Sequence, residues 1–318
     1  IVKDQENLIP VLNEILAINP NIKIMGSPWS APSWMKTNNN SIGGSLKPEY
    51  FAAYANYFVK YIQAYNSEGI TIDAITVQNE PHHDGNNPSM YMEHTDQALF
   101  IKNHLGPAFE AANIDTKIVI WDHNADNTWY ATNILDDAEA NAYIDGSAFH
   151  LYAGSINNLS SVHNAHPDKN LYFTEQWVGV NSEFDDNLLW HTRELIVGAT
   201  RNWCKTVLEW NLASNSNLDP HTPGGCTECL GALTIDGNNV QRNVAYYIIA
   251  HASKFVRPGS ERISSNYSTD LPNVAFKTPT GEIVVIVVNN TEIDKSFNIK
   301  TPGESISTSL SAGAVGTY

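Results

Sequence analysis

With 318 residues, the chain can bury one large core and carry a small satellite domain. A formal net charge of −16, with only 18 Lys and Arg, repels phosphate and anionic lipid, which argues against nucleic acid and anionic lipid as partners. No apolar run reaches the roughly 18 residues a membrane span needs, while 8 Trp and 14 Tyr offer faces for sugars, although packing accounts for most of them.

The chain opens at Ile1 without a Met and enters a helical pattern at once, so a cut N-terminus is expected. The first helix is predicted over Leu8–Ile18, with Pro10 tolerated in its first turn. A strand over Ile22–Gly26 leads into Ser27-Pro-Trp-Ser30, and an Asn/Gly/Ser-rich loop covers Lys36–Lys47. Pro48 opens a long helix in which Tyr50, Tyr54, Tyr57 and Tyr61 recur at helical spacing, an aromatic stripe expected to be core. Gly69 ends it. Five more strands are predicted over Ile72–Val77, Lys117–Ile120, Gly146–Phe149, Leu171–Phe173 and Lys205–Leu208. Helices are predicted over His94–Ala112, Thr128–Leu135, Asn187–Arg201 and Val240–Phe255.

Alternation of short strands with amphipathic helices is the pattern of a parallel α/β sheet. From about residue 260 it gives way to strands joined by tight turns: Val274–Lys277, Glu282–Val288, Lys295–Ile299 and Ser305–Leu310. Thr280-Gly281 marks one hairpin and Pro302-Gly303 another turn. The expected architecture is a (β/α)8 TIM barrel lacking its first two strands (residues 1–259), followed by a small β-sandwich (260–318). An open six-stranded α/β sheet is the alternative. Removal of the first strands would leave apolar strand edges exposed, so the chain alone is expected to be poorly stable or inactive.

Glu80 and Glu175 each close a short apolar run and are 95 residues apart, three βα units of roughly 31 residues in a barrel of about 250. Around a ring, that spacing brings both carboxylates to one rim. Beside them, just past predicted strands, stand Trp29, Asn79, Asp122, His150, Tyr152, Trp177 and Trp210. Packing alone does not demand so polar and aromatic a rim. A carboxylate pair of this kind suits glycoside hydrolysis, where one group protonates the leaving oxygen and the other attacks or activates water. The separation that decides retention or inversion is not in the sequence.

Weaker signals remain. His82-His83-Asp84 suits a loop on the leaving-group side better than a metal site, because adjacent histidines ligate one ion poorly. Cys226 and Cys229 suggest a short disulfide, with a zinc site using His221 and Cys204 as the weaker alternative. Neither a cofactor nor a catalytic metal is expected.

The series Gly26-Ser-Pro-Trp-Ser-Ala-Pro-Ser-Trp-Met-Lys-Thr-Asn38, Gln78-Asn-Glu-Pro81, Phe149-His-Leu-Tyr152, Phe173-Thr-Glu-Gln-Trp177, Glu209-Trp-Asn-Leu212 and Ser253-Lys-Phe-Val-Arg-Pro-Gly-Ser260 resembles glycoside hydrolase family 30. That family includes glucosylceramidases and endo-β-1,6-glucanases. Asn-Glu-Pro alone is shared by many retaining barrels; the ordered series is specific. The resemblance implies a retaining mechanism with Glu80 as acid/base and Glu175 as nucleophile. It places Asn79 on the sugar 2-hydroxyl and Trp29, His150, Tyr152 and Trp210 around the cleaved sugar. An arginine and an aspartate that the family takes from its first barrel strands have no counterpart after Ile1. An endo-β-1,6-glucanase is expected on the likeness of Thr174–Trp177 and Gly224–Cys229 to that branch. A glucosylceramidase, a xylan-directed member and an inactive carbohydrate-binding homologue are the alternatives. The substrate class further implies a secreted or periplasmic monomer acting on a β-glucan or β-glucoside.

Overall fold

The computed structural model describes residues 2–301 and 303–318, which form two compact units. The first comprises the chain up to Ala153 together with Ser161–Leu171; the second comprises Gly154–Ser160 and Tyr172–Tyr318.

In the first unit, β1 (Met25–Gly26), β2 (Ala74–Thr76), β3 (Lys117–Ala125) and β4 (Ile144–Gly154) lie side by side in chain order, followed by the start of β5 (Asn170–Glu175). β1–β2 and β2–β3 are parallel, with Met25 opposite Ala74 and Ile75 opposite Ile118. Ile75, Ile118, Val119 and Ile120 are all buried, as expected for strands covered on both faces. The predicted strands are thus in place, though β1 is shorter and β3 and β4 run further past their ends.

Helical crossovers explain the parallel order. Phe51–Ser67, preceded by a short 3-10 turn at Pro48–Tyr50, joins β1 to β2. Its inner face is Phe51, Tyr54, Phe58, Ile62 and Tyr65, with Phe51, Tyr54 and Phe58 packed around Phe100. Not all of the tyrosine stripe is core: Tyr57 is 52% exposed, because helical geometry carries it away from the face that Tyr54 shares with Phe58. Gly69 ends the segment at φ +80°.

The segment from His94 to Ala111 is one helix broken by a π turn over Ile101–Leu105. Pro107 has no N–H to return to the preceding turn, which disfavours the regular register there. Between β4 and β5 the backbones approach so closely that a Cβ on Gly146 would stand 2.0 Å from the Asn170 carbonyl oxygen.

In the second unit, β5 continues to Glu175, and the Leu208 N–H extends the ladder from β6 (Cys204–Val207) to Phe173 at 3.0 Å. The connecting helix runs from Phe184 to Ala199, its last eight residues in π register. β7 (Ala213–Ser214) pairs in parallel with β8 (Leu233–Asp236), which turns through Gly237 into β9 (Asn239–Arg242). This hairpin corrects the expected helix over Val240–Phe255. Gly237-Asn238 is the hairpin turn, with Asp236 paired to Asn239, and the helix begins only at Val244 and ends at Ser253.

β10 (Glu261–Ile263), β11 (Asn273–Lys277), β12 (Ile283–Val288) and β15 (Val315–Thr317) form an antiparallel sheet in the order β10-β11-β12-β15. β13 (Lys295–Thr301) and β14 (Glu304–Leu310) form a separate pair. The short β10 and β15 carry too few residues for alternation to reveal them. The Thr280-Gly281 turn is present, with Gly281 at φ +93°; Pro302 lies outside the described residues. Val274, Phe276, Ile286 and Val288 share one apolar cluster with Ile196, Val197, Val244, Ala245 and Ile248. Cys226 and Cys229 are joined as a disulfide, which removes the thiolates a zinc site would use, and Cys204 is buried in β6. Among the described residues no helix is long and apolar enough to cross a membrane.

Candidate active site

In the first unit, the chain leaving β2 is held on both sides by backbone bonds. Asn79 N–H donates to the Pro28 carbonyl and Glu80 N–H to the Asp122 carbonyl, each at 2.9 Å. Gln78 Nε2 donates to the Trp29 carbonyl at 2.8 Å, which ties the Trp29 loop to the same strand. Three residues here have left-handed backbone without being glycine: Glu80 (φ 43°), Trp121 (φ 70°) and Asp122 (φ 61°). Such conformations cost on the order of 1–3 kcal/mol each and gather at functional sites.

Glu80 is 6% exposed. Its Oε2 accepts from Asn86 Nδ2 at 2.8 Å, and its Oε1 lies 3.1 Å from His150 Nδ1 and 4.0 Å from His123 Nε2. The other imidazole nitrogen of the fully buried His150 meets Asp122 Oδ1 at 3.1 Å. Asp122 Oδ2 in turn accepts from the hydroxyls of Ser27 and Thr76, both at 2.7 Å. Burial pushes the Glu80 carboxyl up, but the His150 hydrogen bond, with the charges of His150, His123 and His83, outweighs it and holds the group below its usual range. Burial pushes His123 down to about 4, so it is neutral near pH 7 and His150 dominates.

Each expected residue of this unit can now be placed. Glu80, Asp122 and His150 converge, Asn79 is buried next to Glu80 in the chain, and Tyr152 stands edge-on to His150 at 6.0 Å, 38% exposed. Trp29 is half-buried on the loop after β1. Asp122, expected to line the sugar pocket, is 2% exposed and turns its carboxylate onto His150, Ser27 and Thr76. His82 departs from the expected loop surface. It stacks on Tyr91 (5.2 Å, 7°) and meets Trp121 and Tyr130 edge-on, because a planar imidazole packs well among aromatic rings.

In the second unit, Glu175 is the last residue of β5 and half-buried. Trp177 and Trp210 pair as a parallel bridge, and Trp210 N–H donates to the Gln176 carbonyl at 2.8 Å. The strand past Trp177 is pinned to the disulfide loop: Leu230 N–H donates to Val178 and Val180 N–H to Glu228, each at 2.9 Å, with Gly179 bridged to Cys229. Behind Trp210, Glu209 is buried against His191 Nδ1 at 2.9 Å; burial pushes its carboxyl up against the pull of that histidine.

The sequence reading missed His123, Asn86, Ser27 and Thr76. His123 could have been found as a histidine next to Asp122 at a strand's end. For Asn86 no local signal exists, since a loop of tertiary origin delivers it.

The residues fit two family descriptions end to end. Residues 2–256 match the glycosyl hydrolase family 30 TIM-barrel domain and residues 259–318 the glycosyl hydrolase family 30 beta sandwich domain. The chain belongs to glycosyl hydrolase family 30. Among its family 30 relatives is the endo-1,6-beta-D-glucanase neg1 of Aspergillus fumigatus, 36% identical over 305 residues, covering 88% of this chain and 61% of that protein. The lysosomal acid glucosylceramidase of Mus musculus is 28% identical, with 99% of this chain and 66% of that protein covered. The chain thus spans less than two thirds of the curated relatives it matches. Of solved structures, the endo-beta1,6-glucanase BT3312 superposes with a TM-score of 0.94 at 38% identity, over 99% of this chain and 74% of that one.

Proposed function

We propose that this chain is the catalytic part of a retaining β-glucan hydrolase, an endo-β-1,6-glucanase, with Glu175 as nucleophile and Glu80 as acid/base. The observation that carries the chemistry is Glu80 itself: a buried carboxylate past the end of a parallel strand, bonded to His150 and Asn86 in a family 30 chain. In the first step Glu175 attacks the anomeric carbon while Glu80 protonates the departing oxygen. In the second, Glu80 takes a proton from the water that releases the glucosyl-enzyme. Asn79, Trp29, Tyr152, Trp177 and Trp210 are assigned to sugar binding, the aromatic rings by stacking on pyranose faces.

The linkage is supported by identity: 33–36% to proteins named endo-1,6-β-glucanases against 28% to the mouse glucosylceramidase. Work outside the reducing cytosol belongs to the same proposal, supported by the Cys226–Cys229 disulfide; recovery of the native protein only from cytosolic fractions would remove that part.

The deciding experiment is product analysis on linear β-1,6-glucan, with Glu175→Gln as control. Short β-1,6-oligosaccharides, first released as the β-anomer and only by wild type, are the expected result. Release of ceramide from glucosylceramide, without attack on the glucan, would move the assignment to the glucosylceramidase branch.

A further inference from the structure

The contacts of Asp122 fix more than its own position. Ser27 Oγ lies 2.7 Å from Asp122 Oδ2, and Thr76 Oγ1 lies 2.7 Å from both of those atoms. With those hydroxyls gathered on Oδ2, the other oxygen, Oδ1, is open to accept an imidazole N–H from His150 Nε2 at 3.1 Å, and we read the contact so. With Nε2–H on Asp122, Nδ1 faces Glu80 Oε1 with a lone pair when Glu80 carries a proton, and with a second N–H when it does not. Carboxyl and imidazole therefore hold one proton between them, and it belongs to the pair.

We propose that Asp122 is a positioning residue for proton delivery: acting through His150, it holds the shared proton where Glu80 can pass it to the leaving oxygen. The inference rests on the reading of Glu80 as acid/base. During cleavage the bond from the anomeric carbon to the leaving oxygen breaks, and that oxygen keeps the electron pair and takes the shared proton. Glu80 is left ionised and His150 neutral, with Nε2–H still on Asp122. When water attacks the anomeric carbon and displaces Glu175, its proton returns to the Glu80–His150 pair, and the cycle closes without another reagent.

Two further ionisable groups act on Glu80 in this unit, His123 at 4.0 Å and His83, and Asn86 adds a neutral donor. The proposed nucleophile Glu175 is unchanged in every variant compared below, so its influence cancels. The left-handed backbone at Trp121 and Asp122 fits the assignment: plain strand geometry was abandoned at the residue whose carboxylate must reach His150.

The test is the pH profile of kcat/KM for Asp122→Asn and Thr76→Val, on aryl and alkyl β-gentiobiosides (β-1,6-linked diglucosides) of graded leaving-group basicity. In Asp122→Asn the amide oxygen still accepts from Nε2–H, so orientation survives and only the charge is lost. The pair then gives up its proton more readily, and the alkaline limb moves toward acid by about one pH unit. Loss of kcat/KM reaches about ten-fold or more for an alkyl leaving group and stays below about three-fold for 2,4-dinitrophenolate, which needs no acid. Thr76→Val, isosteric and lacking a donor to Asp122, makes that carboxylate more basic and moves the limb the other way. An unmoved limb in Asp122→Asn, or an equal loss for every leaving group, overturns the proposal. If Asp122→Asn fails to fold, Thr76→Val decides, and a limb that stays or moves toward acid overturns it. Glu80→Ala in the same series separates the two levels. Rescue by azide on the activated substrate identifies the acid/base, and with a static Asp122→Asn limb only the relay fails. Without rescue the acid/base reading itself fails.

Discussion

His123 shows how burial turns a side chain into a pH dependence. Unfolded, it titrates near 6.5; folded, burial pushes it down to about 4. Between those values the unfolded chain binds a proton that the folded chain refuses, so stability is full above 6.5 and drains away as pH falls through the window. The gap corresponds to about 3 kcal/mol. His123→Gln is therefore expected to lose about that much less than wild type between pH 7 and pH 4, measured by denaturant unfolding at both. Asn86 acts on its neighbour in the opposite sense. It donates to ionised Glu80, so Asn86→Ala raises that carboxyl, and the alkaline limb of kcat/KM moves upward by less than about one unit. Glu80 was legible in the sequence because it closes an apolar run just before Pro81, although the strand itself ends earlier, at Thr76. The inward turn of Asp122 was not, because strand alternation assumes extended backbone and Asp122 sits at φ 61°.

At the scale of elements, legibility followed the strength of the hydrophobic period. All six parallel strands carry dense apolar runs, and each was found within a few residues. Failures came where a local turn outcompeted a helical pattern, as Gly237-Asn238 did by folding Asn239–Arg242 back as β9. Strand spacing, by contrast, depends on features that period cannot report. Gly146 carries no pattern, yet a methyl group there would meet the Asn170 carbonyl at 2.0 Å, and that atom is backbone that cannot rotate aside. Gly146→Ala must push β4 from β5, so a loss of about 3 kcal/mol or more is expected, read as a lowered denaturant midpoint. A variant as stable as wild type would show that the two strands separate at little cost.

For the whole molecule, composition set the limits: a strongly acidic chain with abundant aromatic residues suits a neutral polymer of sugars better than a polyanion. What composition and pattern left open is how far the C-terminal strands stand on their own. The change of pattern near residue 260 suggests a separable domain, but the apolar cluster of the second unit does not respect it. Val274, Phe276, Ile286 and Val288 from β11 and β12 pack with Ile196 and Val197 of the Phe184–Ala199 helix and with Val244, Ala245 and Ile248 of the next. A chain ending before residue 259 would leave those helices facing water, and it is expected to show no cooperative unfolding and to aggregate. Ile286→Ala is the graded form of the same experiment. Ile286 is fully buried, and truncation should cost about 2–5 kcal/mol, leaving a cavity between sheet and helices. If the cluster is one cooperative body, tryptophan fluorescence from Trp177, Trp190 and Trp210 shifts at the same lowered midpoint as far-ultraviolet circular dichroism. Two separated transitions would instead make the β-strands an independent domain, with the helical contacts contributing little to its stability.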